Sequence, residues 1–154
     1  GYHGLFQRLT LATAWQESCF RQFVVRDRKL MYIKSYNNTS VGMMQINERV
    51  WRGVYDIQHL RWNIRYNVAA GIDILDHYFV KYALRDAGTS EKIGPDGLAA
   101  AVYAMYNGGP RQFSRYLKRR KTGELYKSDI HFKEKYEWVG NKQWDRLSWC
   151  LIGK

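Results

Sequence analysis

Residues 63 to 84 constrain the fold most. Ile64, Val68, Ile72, Leu75, Phe79 and Tyr82 recur there at steps of three and four, in a segment without proline. The spacing predicts a helix of about six turns. Its apolar stripe must be buried, which commits the chain to packing helix against helix. Residues 98 to 106 (LAAAVYAMY) predict a second helix, alanine-rich and stopped by Gly108, Gly109 and Pro110. Alanines there let neighbouring helices approach closely. Leu5, Phe6, Leu9, Ala12 and Trp15 share the helical period, so a third helix runs from the N-terminus towards Glu17.

Between 24 and 40 the periodicity fails and turn-forming residues (SYNNTS) accumulate, which predicts a loop or small hairpin. Residues 86 to 97 (DAGTSEKIGPDG) carry the turn chemistry of an exposed connection. Three further short helices are expected at 112 to 120, 129 to 138 and 141 to 151, the middle one with Ser128 or Asp129 as N-cap. The sum is a mostly α domain of about seven helices with at most a small β element. At 154 residues and 45% hydrophobic side chains, the chain can bury a single core as one compact domain. Its apolar runs are far shorter than the roughly 18 residues that cross a bilayer. The chain begins at Gly1 and is helical almost at once, as in a domain excised from a longer exported protein. A membrane anchor or companion domain would then lie outside it, and a monomer is expected.

The net charge of +11 predicts attraction to polyanions without choosing among them. Much of the excess falls in residues 111 to 121 (RQFSRYLKRRK), expected to form one solvated basic face. No nucleic-acid signature accompanies these residues, so nucleic acid is not an expected partner. Cys19 and Cys150 do not form the close pairs of metal ligands, and neither metal nor cofactor is expected. The two thiols either form one disulfide closing most of the chain or remain buried and free.

Glu17 sits in the string ATAWQESCF, among apolar and aromatic neighbours with no adjacent base. Desolvation of that kind favours a protonated carboxyl, the form that must donate a proton to a glycosidic oxygen as the bond breaks. A surface glutamate at a helix end is the competing interpretation of these residues alone.

Three segments decide between the two. AWQESCF (14 to 20), GMMQIN (42 to 47) and YAMYNGGP (103 to 110) resemble, in order and spacing, the motifs of lytic transglycosylases of the soluble transglycosylase family, which is related in fold to goose-type lysozyme. FKEKYEWV (132 to 139) is a weaker fourth match. The resemblance implies that Glu17 is the catalytic acid, that the Tyr106 hydroxyl points towards its carboxyl, and that Gln45 and Asn107 line a glycan cleft. Ser18, Met44 and Ser40 are further substrate-side candidates. Each of the first two has a structural alternative: helix-end hydrogen bonding for Ser18 and packing for Met44. Glu134 matches a glutamate that reaches the cleft, or is a solvated residue between Lys133 and Lys135. Gly42 either keeps side chains out of the backbone's approach to the cleft or serves an ordinary turn. Met105 and Met43 depart from the family's alanine and leucine. The family's serine before the glycine has no match in register, leaving Ser35, Thr39 and Ser40 as substitutes.

The resemblance implies cleavage of the glycan strands of peptidoglycan in the periplasm or cell envelope of a bacterium, yielding 1,6-anhydromuramyl ends. A hydrolytic muramidase on the same fold is the nearest rival, with Glu48, Asp56 or Asp73 placing a water. A non-catalytic basic module that binds wall or nucleic acid is the rival from another class.

Overall fold

The computed structural model describes residues 1–152. Its elements run α1 (His3–Ser18), β1 (Phe23–Arg26), β2 (Lys29–Tyr32), β3 (Ser40–Val41), β4 (Ile46–Asn47), α2 (Ile57–Trp62) and α3 (Ile64–Tyr78). After α3 come a π-helical turn (Phe79–Ala83), α4 (Ala87–Gly108), α5 (Gln112–Thr122), α6 (Lys127–Gly140), a 3₁₀ turn (Trp144–Leu147) and α7 (Ser148–Leu151). Seven α-helices and two small antiparallel sheets among the described residues make the mostly α, lysozyme-like fold expected from the sequence. The chain forms two compact units. A helical unit comprises Gly1–Thr13 and Ile74–Arg146, and a β-bearing unit comprises Ala14–Asp73 and Leu147–Lys154.

In the helical unit α4 is the core element. Leu98, Ala99, Ala101, Val102, Tyr103 and Met105 are all at most 2% exposed, and α5 and α6 pack on this helix. Alanines at the crossing leave room for rings: Tyr103 and Phe132 stack with centroids 4.4 Å apart. Tyr2 and Phe6 meet Phe79 edge-on, fastening the first turns of α1 to the π-helical turn. Met105 faces the core where the family has alanine, so that departure is a packing change.

Three expectations for this unit are corrected. Residues 86 to 97 are not an exposed connection. Asp86 caps a helix that starts at Ala87, its carboxylate accepting from the Thr89 N–H (3.1 Å), and Ser90 Oγ donates to Ala83 O (2.6 Å). The break is confined to Gly94 (φ 73°, ψ 178°), after which Pro95 restarts the helix at a position that needs no N–H. The turn-like composition thus encodes a cap and a kink. Second, the basic face of α5 is not wholly solvated. Arg119 is 8% exposed, donates to both oxygens of Asp129 (2.9 and 3.1 Å), and lies 3.8 Å over the Tyr126 ring. Third, neither Ser128 nor Asp129 is the N-cap of α6. Tyr126 holds that position, and Asp129, three residues inside, accepts its N–H at 2.8 Å.

In the β-bearing unit β1 and β2 pair from Phe23↔Tyr32 to Arg26↔Lys29 around a two-residue turn, Asp27 and Arg28, both left-handed (φ 51° and 63°). This is a hairpin, one of the two forms expected for the segment, and primed turns of this kind match the strand twist. Trp15, Val41, Met44, Ile46 and Leu60 form the unit's buried apolar centre. Cys19 and Cys150 are joined as a disulfide, with Cα atoms 6.0 Å apart. Residues 141 to 151 do not make one helix. Lys142 is left-handed (φ 55°), and a 3₁₀ turn and the single turn of α7 follow.

Candidate active site

Glu17 is the penultimate residue of α1 and is half-buried, between buried Trp15 and buried Ser18. The helix ends there because Cys19 and Phe20 both turn left-handed (φ 55° and 59°), letting the Phe20 N–H reach back to Ala14 O at 3.3 Å. Two consecutive non-glycine residues in that region cost about 1–2 kcal/mol each. The Cys19–Cys150 bond, the buried Cys19 side chain and the ring contact of Phe20 with Trp15 hold them in place.

Ser18 is 6% exposed, and its hydroxyl has structural work. It donates to Met43 O at 2.7 Å and accepts from the Arg21 N–H at 3.1 Å. With one proton to give, the short bond to Met43 outcompetes the 3.3 Å approach to Ala14 O. Ser18 therefore ties the end of α1 to the GMMQIN turn, which is the structural role given as its alternative.

That turn, residues 42 to 45, connects β3 to β4 and is held from below by two buried amides. Gln22 (2% exposed) accepts from the Met43 N–H and donates to Leu60 O and Arg61 O. Asn67 (fully buried) accepts from the Met44 N–H and donates to Val41 O and Leu60 O, at 2.8 to 2.9 Å. Between them they satisfy backbone groups of the turn and the last turn of α2 that burial would otherwise leave bare. Gly42 is left-handed (φ 79°), and a Cβ there would overlap the amides of Asn67 and Gln22. Its close approach is to these interior side chains. Met44 is fully buried with its side chain on Gly71, where any Cβ would lie 2.6 Å from Met44 Cβ. Its side chain packs and is not available to a substrate. Gln45, left-handed at φ 50° and half-exposed, donates one Nε2 hydrogen to Gly42 O (2.9 Å).

Of the three hydroxyls proposed for the missing serine, two are occupied. Ser35 Oγ donates to Asn37 Oδ1 and accepts from the Thr39 and Ser40 N–H groups, and Thr39 Oγ1 also donates to Asn37. The Ser40 hydroxyl is half-buried on β3 and makes no hydrogen bond among the described residues.

The acids that could assist Glu17 divide similarly. Glu48 accepts two bonds from Arg61, at 2.7 and 2.9 Å. Asp56 caps α2, accepting from the His59 N–H and meeting His59 Nδ1 at 2.7 Å. The backbone bond, followed by the His59 side chain, holds the Asp56 carboxyl below its ordinary range. Asp73 is exposed on α3; burial first, and then its negative charge, push the Tyr55 phenol up.

Tyr106, Asn107 and Glu134 belong to the helical unit. Tyr106 is half-buried and Asn107 exposed in the last turn of α4, which Gly109 (φ 92°) closes by donating to Met105 O. Glu134 lies on α6, its side chain 42% exposed and 3.2 Å from Lys135 Nζ. Gln22 and Asn67 went unnoticed in the sequence, because an amide says nothing of its role until the backbone groups it meets are known.

The transglycosylase SLT domain family matches residues 3–128. The chain belongs to that family. Among curated proteins and among solved structures, none matches it. The match to this peptidoglycan-cleaving, lysozyme-like family spans Glu17, Gln45, Tyr106 and Asn107. It ends before Glu134, whose assignment rests on its short motif alone. No group of three or more potential metal ligands occurs among the described residues of this transglycosylase domain.

Proposed function

We propose that this domain is a lytic transglycosylase in which Glu17 acts alone as acid and then base. Its carboxyl protonates the oxygen between N-acetylmuramic acid and N-acetylglucosamine as the C1–O bond breaks. The resulting carboxylate takes the proton of the muramyl C6 hydroxyl, whose oxygen bonds to C1. One bond forms for one broken, the proton returns to Glu17, and the product is a 1,6-anhydromuramyl end. In this reading Tyr106 orients the carboxyl. Gln45, Asn107 and Ser40 meet sugar hydroxyls and acetamido groups, and Glu134 lies at the cleft margin. The reaction takes place in the cell envelope, where the +11 net charge draws the domain to the carboxylates and phosphates of the wall.

The observation that carries the proposal is where Glu17 stands: inside the family match, half-buried at the end of a helix that Ser18 ties to the turn bearing Gln45. Of the acids that could place a water, Glu48 is fixed to Arg61 and Asp56 caps a helix. A carboxylate gripped by a guanidinium is a poor base, which disfavours the hydrolytic alternative. The test is clearance of purified sacculi by the unmutated chain and by Glu17→Gln. Loss of at least about 100-fold in rate is expected for removal of a general acid, with products one water lighter by mass than reducing ends. Equal clearance by the variant, or reducing ends as product, refutes the mechanism.

A further inference from the structure

The hairpin of β1 and β2 has two unlike faces. Side chains alternate along each strand, so the pairs Phe23↔Tyr32 and Val25↔Leu30 share one face, and Val24↔Met31 and Arg26↔Lys29 the other. On the first face Trp62 packs against both ring residues, stacked on Phe23 at 6.1 Å and edge-on to Tyr32 at 5.2 Å. The result is a continuous strip of five apolar or aromatic side chains whose outer members face solvent. Val25 is 71% exposed, Leu30 57% and Trp62 45%. A directly opposed Val–Leu pair left this open buries little of its apolar surface on folding. Cations border the strip: Arg28 in the turn, Arg26 and Lys29 on the opposite face at the strand ends beside it, and Arg21 and Lys34 in the segments that flank the hairpin. Arg21, Arg26 and Lys34 also line a groove of about 370 Å³ with Val24, Met31 and Tyr32. Asp27 is the one acid between residues 21 and 34.

We propose that this face docks the domain on the surface of an anionic lipid bilayer. The hairpin lies flat, with Val25, Leu30 and Trp62 at the level of the acyl chains and the flanking arginines and lysines reaching the headgroups. Val and Leu offer a sugar neither a stacking plane nor a hydrogen bond, and a polyanion in water gains nothing from them. Hydrocarbon bordered by negative charge matches both halves of the surface. Trp62 and Tyr32 are ring types that settle at that boundary, and long cationic side chains extend from it to water. No helix among the described residues is long and apolar enough to cross a membrane, so the contact is interfacial.

The test is co-sedimentation of the intact chain with vesicles of phosphatidylglycerol and phosphatidylcholine, and with vesicles of phosphatidylcholine alone. Val25→Thr with Leu30→Thr keeps strand-forming residues while removing the apolar pair, and Arg26→Gln with Lys29→Gln removes two cations. Lys118→Gln with Lys121→Gln on α5 controls for net charge. The chain is expected to bind the anionic vesicles and scarcely the neutral ones. Each hairpin pair should weaken partitioning by about tenfold, and the α5 pair by less than about twofold. Quenching by brominated acyl chains should fall in Trp62→Phe. Near-ultraviolet circular dichroism and a thiol titration showing Cys19 and Cys150 still joined verify the fold of each variant. Absence of binding to anionic vesicles overturns the proposal. So do an equal effect of the α5 pair, unchanged binding by the Val25 and Leu30 variant, and displacement of the vesicles by soluble glycan fragments. Clearance of sacculi by the same variants is a separate readout, so failure here leaves the role of Glu17 untouched.

Discussion

Asn67 is the position where the smallest change should do the most structural damage. The Asn67→Ala substitution removes an acceptor from the Met44 N–H and donors from Val41 O and Leu60 O. Leu60 O keeps its bond from Gln22 Nε2 (3.0 Å) and Val41 O keeps its place opposite Ile46 in the β3–β4 ladder, so one backbone group, the Met44 N–H, is left unsatisfied. Left bare, that group costs roughly 1–3 kcal/mol, and with the two bonds lost to carbonyls that keep other partners the loss comes to about 3 kcal/mol against a total stability of about 5–15 kcal/mol. At about 2–4 °C per kcal/mol for a chain of this size, the melting midpoint should fall by about 10 °C. Urea unfolding followed by far-ultraviolet circular dichroism measures the loss directly, and an unchanged slope shows that the unfolded chain is not the cause. Asn67→Asp sharpens the test. It keeps an acceptor for Met44 but turns a carboxylate oxygen towards two carbonyls, so it should be no more stable than the alanine variant. A loss below about 1 kcal/mol for Asn67→Ala, or an aspartate variant as stable as the unmutated chain, refutes the assignment of Asn67 as the support of the turn.

Asp129→Ala should cost about 3–5 kcal/mol by leaving the buried Arg119 guanidinium without its counter-charge, whereas Arg119→Met combined with Asp129→Leu should recover most of that loss in the same urea titration. A single variant no less stable than the double one contradicts this. Reduction of the Cys19–Cys150 bond, which spans 131 residues, releases a long loop into the unfolded ensemble and should destabilise the chain by at most about 5 kcal/mol. A calorimetric midpoint unmoved by dithiothreitol would show that the link constrains nothing.

Helical periodicity made α1, α3 and the core of α4 legible, because a stripe at steps of three and four has one geometric solution. It failed where local chemistry has more than one use. Asp86, Gly94 and Pro95 are loop residues by composition, but here they cap, break and restart a helix. Arg119 belongs to a run of cations that looks uniformly solvated, and only the approach of α6 with Asp129 separates it from Lys118 and Arg120. The hairpin was expected only as one of two forms, since its turn, Asp27 and Arg28, lacks the glycine or asparagine that marks primed turns.

The motifs that identify the family are contiguous strings, yet their residues divide by what they touch. In ES, Glu17 stays partly open to solvent while Ser18 turns inward to Met43. In GMMQ, Gly42 and Met44 close onto Asn67, Gln22 and Gly71, whereas Met43 and Gln45 stay partly open to solvent. Recurrence of such a string therefore carries two constraints at once, one on chemistry and one on the support beneath it. Support can be exchanged when its partner changes with it, as Met105 in the alanine position of α4 illustrates by filling the core. Chemistry cannot. Substitutions at Ser18 or Met44 should therefore lower stability and activity together, whereas Glu17→Gln should abolish clearance in a chain that unfolds where the unmutated one does. That separation of the two losses distinguishes a catalytic residue from the framework that holds it.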